Sequence, residues 1–362
     1  MSKINFFDLD QTAMRDFFTA MAEKPYRATQ VMKWMYHRGV IDFGLMTDIS
    51  LKLRRDLENG IRFTLPEIVS EQISADGTRK WLMRVDGNNS VEAVFIPETD
   101  RGTLCVSSQA GCALNCSFCS TGKQGFSRNL SVAEIIGQVW LANRQLGYFD
   151  DGNRRISNIV MMGMGEPLLN FDNVVGAMSL MTDDLGFGLA GKRVTLSTAG
   201  IIPAIDKLAD RCRVSLAVSL HAPNDELRNE LVPINRHYPV RELLAACERY
   251  SSTIGESITY EYVMLKDVND GEAEARQLAH LLKGRAAKIN LIPFNPFPGS
   301  GYTRSPLRNI DRFREILVDS GLITITRKTR GDDIDAACGQ LVGKVAPRAR
   351  RLQDKEQMVA QT

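Results

Sequence analysis

The sequence has no apolar run approaching the roughly 20 residues that cross a bilayer, so no membrane-spanning helix is expected. Its opening, MSKINFFDLDQTAMRDFF, carries acids early and lacks a long apolar core. A secretory signal is therefore not expected, and the cytoplasm is the expected compartment. Neither sign of charge is in large excess: 45 Lys and Arg face 43 Asp and Glu, a net of +2. A protein that coats nucleic acid by bulk charge is excluded, and any nucleic-acid surface must come from local clusters. Internal repeats and low-complexity linkers are missing too. What is present, 44% hydrophobic and 24% charged residues over 362 positions, suits a globular enzyme or binder of one large domain or two.

Cysteine is not scarce, but the pairing that a disulfide framework or a structural zinc would want is missing. There are seven cysteines, an odd number, and four of them fall between residues 105 and 119. In a cytoplasmic chain this points to metal or redox chemistry. In CALNCSFCS, Cys112, Cys116 and Cys119 are separated by three residues and then two. A structural zinc closes four ligands, usually as two short pairs, and no second pair exists here. Core cysteines do not usually crowd into a polar loop such as this one, with Asn115 and Ser117 between them. An iron–sulfur cluster held by three thiolates leaves one iron open. That iron can take a small molecule by its amino and carboxylate groups.

The first 64 residues read as a helical accessory domain. YRATQVMKWMYHRG sets Val31, Trp34 and Met35 at helical spacing, and a further helix is expected in DISLKLRRDLENGI. Two readings compete: a bundle that simply packs on the main body, or a module for a macromolecule. Residues 65–98 alternate around an Asn-rich turn and predict a β-hairpin linker. From 99 to 333 strands and helices take turns, with strand-like runs at 103–108, 156–163, 193–198, 213–220, 258–265, 288–293 and 322–327. A capping box at Ser131 and Glu134 opens one of the helices. Such alternation predicts a parallel sheet, open or curled into a partial (βα)6 barrel, with chemistry at the strands' C-terminal ends. The unusual residues lie there: the cysteine loop, GMGEP at 163–167, Ser197, Ser219-Leu220-His221 and Asn295. Residues 334–362 form a C-terminal segment. Basic clusters at Arg327, Lys328 and Arg330, and at Lys344, Arg348, Arg350 and Arg351, read either as solvated faces or as RNA contacts.

Cys-x3-Cys-x2-Cys with Phe118 before the last cysteine resembles the radical S-adenosylmethionine signature. That resemblance implies a radical S-adenosylmethionine α/β core and one 4Fe–4S cluster on Cys112, Cys116 and Cys119. Gly165, Glu166, Ser197, Ser219, Leu220, His221 and Asn295 would line the cofactor pocket. CVSSQAGCALNCSFCSTGKQGFSRNL, VMMGMGEPLLN, VTLSTAG, SLHAPND, NLIPFNPFPG and RKTRGDDIDAACGQL together resemble the dual-specificity RNA adenine-C2 methyltransferase family, from about residue 20 to 340. The family resemblance implies that Cys338 is methylated, Cys105 resolves a covalent intermediate through a transient disulfide, and Glu92 accepts a proton. It also implies two S-adenosylmethionine molecules per turnover and 23S rRNA and tRNA as substrates. A monomer and an electron donor such as flavodoxin are expected. Taken alone, Cys338 is a small residue among small neighbours, Cys105 a strand core residue and Glu92 an acid on a strand. Cys212 and Cys247 read as packing residues. The alternatives are a sister carbon-8 methyltransferase, a glycyl-radical activase and a non-catalytic RNA binder with a structural metal.

Overall fold

The apolar runs between residues 65 and 327 hydrogen-bond into one sheet of ten strands. The computed structural model describes residues 3–345. In chain order the strands are β1 (Glu67–Ile73), β2 (Arg79–Arg84), β3 (Ser90–Pro97), β4 (Gly102–Cys105) and β5 (Asn158–Met161). They continue as β6 (Val194–Thr198), β7 (Ser215–Ser219), β8 (Ile258–Met264), β9 (Ala287–Pro293) and β10 (Ile323–Thr326). Spatial order follows chain order, and the sheet stays open, with β1 and β10 at its edges. From β4 to β10 every neighbour is parallel, as crossover helices require. The seven expected runs correspond to these seven strands.

The expected hairpin is one strand short. β2 and β3 pair across the Asn-rich turn, but β1 joins β2 on the far side, and β3 continues antiparallel into β4 with Val94 opposite Cys105. Residues 67–97 are thus a meander that extends the main sheet. β1 gave no period-two signal because it is an edge strand with nearly every residue solvent-exposed.

The N-terminal helices are Gln11–Ala20, Tyr26–Met32 (prolonged by a π turn at Lys33–His37) and Leu51–Gly60. Val31 and Met35 are buried and Trp34 is half-buried, on the face that the sequence marked. Phe6, Phe17, Phe18, Phe43 and Phe63 pack on one another in the same core through edge-on and tilted ring contacts. The module docks on helix Val132–Gln145. Asp8 Oδ1 accepts from Ala133 N at 2.8 Å, and Trp140 Nε1 donates to Met35 O at 2.8 Å. That helix begins with the capping box at Ser131 and Glu134. Arg128 forks onto Glu134 at 2.8 and 2.7 Å and also reaches Asp86 in the β2–β3 turn. One helix start therefore ties the helical module, the meander and the parallel strands together.

After β10 the chain crosses the C-terminal ends of the strands as a strap, Gly331–Val345. Gly331 N donates to Asp76, the backbone carbonyl of Asp335 accepts from Lys80, and Ser74 donates to Asp333. Further along, Gly339 O accepts from Ser120 N, Leu341 O from Thr121 Oγ1, Gly343 O from Gln124 and Lys344 O from Ser90 N. The strap links the meander to the cysteine loop. Arg348, Arg350 and Arg351 lie outside the described residues.

Candidate active site

Cys112, Cys116 and Cys119 follow β4 and line one cavity. Backbone contacts hold the loop: Cys112 N donates to Gly125 O, Cys119 N to Cys116 O, and Ser117 N to Leu231 O. Asn115 takes φ 54°, the left-handed conformation that asparagine tolerates best after glycine. A Cβ on Gly122 would sit 3.2 Å from both Cys116 N and O, so the next turn packs tightly against the loop. Burial pushes the Cys112 thiol up to about 12, reinforced by Cys119 and Glu166, and it raises Cys116 and Cys119 as well. Bare thiolates are disfavoured here without a cation to offset them. Among the described residues no three His, Cys, Asp or Glu side chains converge closely enough to hold a single metal ion. Three cysteines on one loop, all lining the same cavity, are a donor set that fits a cluster held by three thiolates with its remaining position facing the cavity.

The rest of the cavity wall comes from the strand ends. Gly165, Glu166, Ser197, Ser219, His221 and Asn295 all line it. Leu220 does not. It is fully buried, and its carbonyl accepts from Arg228 Nε at 3.0 Å. Gly165 has φ 100°, and a Cβ there would lie 2.5 Å from Gln109, so glycine is required. Glu166 is buried, which raises its carboxyl. Ala199 N, Thr198 Oγ1 and Leu168 N counter this by donating to it at 2.8, 2.7 and 3.0 Å. The Glu166 carboxylate thus braces the end of β6 as well as facing the cavity. His221 sits at φ 60° with its ring edge-on to Phe118, centroids 4.6 Å apart. Burial and then Arg228 lower it to about 3, so the ring is neutral. Its Nδ1 accepts from Val263 N at 3.0 Å, which puts the proton on Nε2.

Sequence reasoning missed Glu261 in this wall and two residues that brace it from behind, Arg228 and Gln109. Arg228 is fully buried and donates to Leu220 O, Ala199 O, Ser219 O and Asn235 Oδ1. Gln109 accepts from Glu166 N at 2.8 Å. Glu261, on β8, is a buried acid lining the cavity, with only Ser197 Oγ at 3.3 Å and Asn290 Nδ2 at 3.4 Å as hydrogen-bond donors. Glu261 alone had a signal, as a single acid in the apolar run ITYEYVML.

Cys338 rides on the strap and lines the same cavity as the cluster cysteines. Arg327 Nη1 donates to its Sγ at 2.9 Å. Arg327 is thus half-buried against a sulfur, whereas Lys328 beside it is exposed. Cys105, at the end of β4, is buried. Burial, and then the nearby Cys338, push its thiol up to about 12, while Arg327 pulls it down. All seven cysteines are free thiols. Glu92 lies outside the cavity wall, paired with Lys80 at 3.3 Å and accepting from Val342 N of the strap at 2.9 Å. Cys247 is buried within helix Val240–Ile254, and Cys212 caps helix Ile202–Arg211.

Comparison with known proteins bears on the family and the fold. Residues 4–62 match the Ribosomal RNA large subunit methyltransferase N-terminal domain, and residues 106–279 match the Radical SAM superfamily. The Dual-specificity RNA methyltransferase RlmN of Pseudomonas putida strain F1 is 59% identical over 352 residues, 96% of this chain and 92% of that protein. The chain belongs to the RlmN family. The RlmN of Pseudomonas entomophila strain L48 is likewise 59% identical, with 93% of it covered. A radical SAM methyltransferase from Sphaerobacter thermophilus superposes on this RlmN-family chain with a TM-score of 0.87 at 42% identity, covering 93% of this chain and 99% of that one. Radical SAM chemistry and an α/β radical SAM fold come with the family, and with them a 4Fe–4S cluster and S-adenosylmethionine.

Proposed function

We propose that this RNA methyltransferase methylates carbon-2 of one adenosine in 23S rRNA, at the peptidyl-transferase centre, and of the adenosine 3′ of the anticodon in a subset of tRNAs. It works in the cytoplasm as a monomer, with a reducing protein such as flavodoxin supplying electrons. Two S-adenosylmethionine molecules are consumed per turnover. The observation that carries the reading is the position of Cys338: a thiol on a separate chain segment, facing the cavity that the three cluster cysteines line. A glycyl-radical activase has no use for it.

Carbon-2 of adenine lies between two ring nitrogens and is electron-poor, so it does not attack a sulfonium methyl. When bound, the cluster and S-adenosylmethionine supply a methyl group and a carbon-centred radical. The chain does the rest. Gly165, Glu166, Ser197, Ser219, His221 and Asn295 hold and orient the cofactor, with the Nε2–H of neutral His221 as a donor. Cys338 accepts the methyl group; one hydrogen atom of that methyl would pass to the carbon-centred radical, and the remaining methylene carbon bonds to carbon-2, joining protein to RNA. Glu92 takes the carbon-2 proton. As that proton leaves, the adduct gives up one electron, which would return to the bound cofactor. The Cys105 thiolate then attacks the Cys338 sulfur; the sulfur–carbon bond breaks, its electron pair goes to the methylene carbon, and that carbon takes a proton, so that a disulfide forms and the methylated base leaves. The target adenosine must be unstacked to reach this depth.

Digestion of RNA treated with the reduced enzyme should yield 2-methyladenosine; 8-methyladenosine would transfer the chain to the sister activity. Cys338→Ala should methylate no RNA, and full turnover in that variant would favour the activase. Cys105→Ala should accumulate protein covalently joined to RNA, seen as a slow band that ribonuclease removes.

A further inference from the structure

One guanidinium is aimed at a thiol beside the cavity. Arg327 follows β10, and its backbone N–H donates to Leu291 O of β9 at 2.8 Å, which fixes the root of the side chain. Its Nη1 lies 2.9 Å from Cys338 Sγ. Its charge also acts on Glu261 of β8 and Cys105 of β4. Glu261 has neutral donors at 3.3 and 3.4 Å, and the Arg327 charge acts on it from beyond ion-pair distance. Cys119 faces Cys338 from the cysteine loop, and Glu98 and Arg101, just after β3, act on Arg327 from outside. Nothing assigned so far to the reaction explains why a guanidinium, and not water or an amide, is aimed at this sulfur.

We infer that Arg327 is a positioning residue that directs the Cys338 sulfur into the cavity and compensates its charge as it becomes a nucleophile. The inference rests on Cys338 being the methyl acceptor. In that step the sulfur lone pair forms a bond to the methyl carbon. The bond from that carbon to the sulfonium sulfur breaks, and its electron pair stays on the departing thioether. The thiol proton passes to water. A guanidinium at hydrogen-bond distance stabilises the sulfur anion that precedes this transfer and holds one lone pair, leaving another free to attack. Because the same cation also acts on Cys105, it serves the second thiolate when the disulfide forms.

The test uses cluster-reconstituted protein under anaerobic conditions. Iodoacetamide alkylation of Cys338 is followed by peptide mass spectrometry at fixed neutral pH, which reads the sulfur's reactivity without turnover. Arg327→Gln should slow alkylation by about tenfold or more, the effect of removing one adjacent opposite charge. Arg327→Lys should retain part of the rate, and free guanidinium should restore it in Arg327→Ala. Wild-type iron content and melting temperature in each variant establish that it is folded. Alkylation of Arg327→Gln at the wild-type rate, or failure of guanidinium to rescue Arg327→Ala, would overturn the inference. The underlying reading is tested separately with S-adenosylmethionine carrying a deuterated methyl group. Label on wild-type Cys338 supports it. An unlabelled Cys338 whose alkylation still depends on Arg327 would sink the methyl-acceptor role while leaving the Arg327–Cys338 contact standing.

Discussion

Lys80 and Glu92 face each other at 3.3 Å with each side chain only 9% exposed. They are diagonal neighbours across β2 and β3, since Glu92 stands opposite Leu82. Lys80→Met would leave a buried carboxylate without its cation. A loss of roughly 3–5 kcal/mol is expected, measured as a lower denaturant midpoint, and retention of the wild-type midpoint would count against a buried pair. At this scale legibility depended on how local the chemistry is. Cys112, Cys116 and Cys119 could be read because one loop holds all three. The partners of Glu92 and Cys338 could not, because Lys80 and Arg327 meet them only through strand register and the course of the strap. Arg228 gave no signal at all: within DELRNEL it looks like a charge on an ordinary helix face.

Elements were legible where one face is buried. The parallel strands are continuous apolar runs because helices cover them, and the capping box at Ser131 needed only local sequence. β1 was lost because an exposed edge carries no alternation. The strap was lost because it has almost no regular structure and is held by side chains of distant segments. Its first tie depends on Asp76. Burial by itself would raise that carboxyl, but hydrogen bonds from Thr78, Gly331 N and Ser74 outweigh it and hold it at about 2. A carboxylate held below its unfolded value stabilises the fold above that value and loses the contribution as pH falls through the folded one. Thermal stability should therefore fall between about pH 4 and pH 2. Asp76→Asn should flatten that part of the profile, as followed by melting temperature against pH; an unchanged acid limb would show that the tie carries no stability.

Over the whole molecule the charge is nearly balanced, so attraction to RNA must come from a few exposed cations such as Lys328 and Lys344. RNA affinity should fall steeply between about 50 and 200 mM salt, and Lys328→Gln should reduce the slope of log K against log salt by about 1. A slope unchanged by that substitution would remove Lys328 from the RNA surface. The overall plan was largely legible, because strand–helix alternation predicts the parallel sheet and the motifs at successive strand ends resemble those of radical SAM proteins. How the meander and strap complete it was not. One buried guanidinium shows what that completion implies. Arg228 holds the carbonyls of Ala199, Ser219 and Leu220 together, so two neighbouring walls of the cofactor chamber share a single fastening. Neither wall can shift without the other, and the chamber keeps its shape or loses it as a unit.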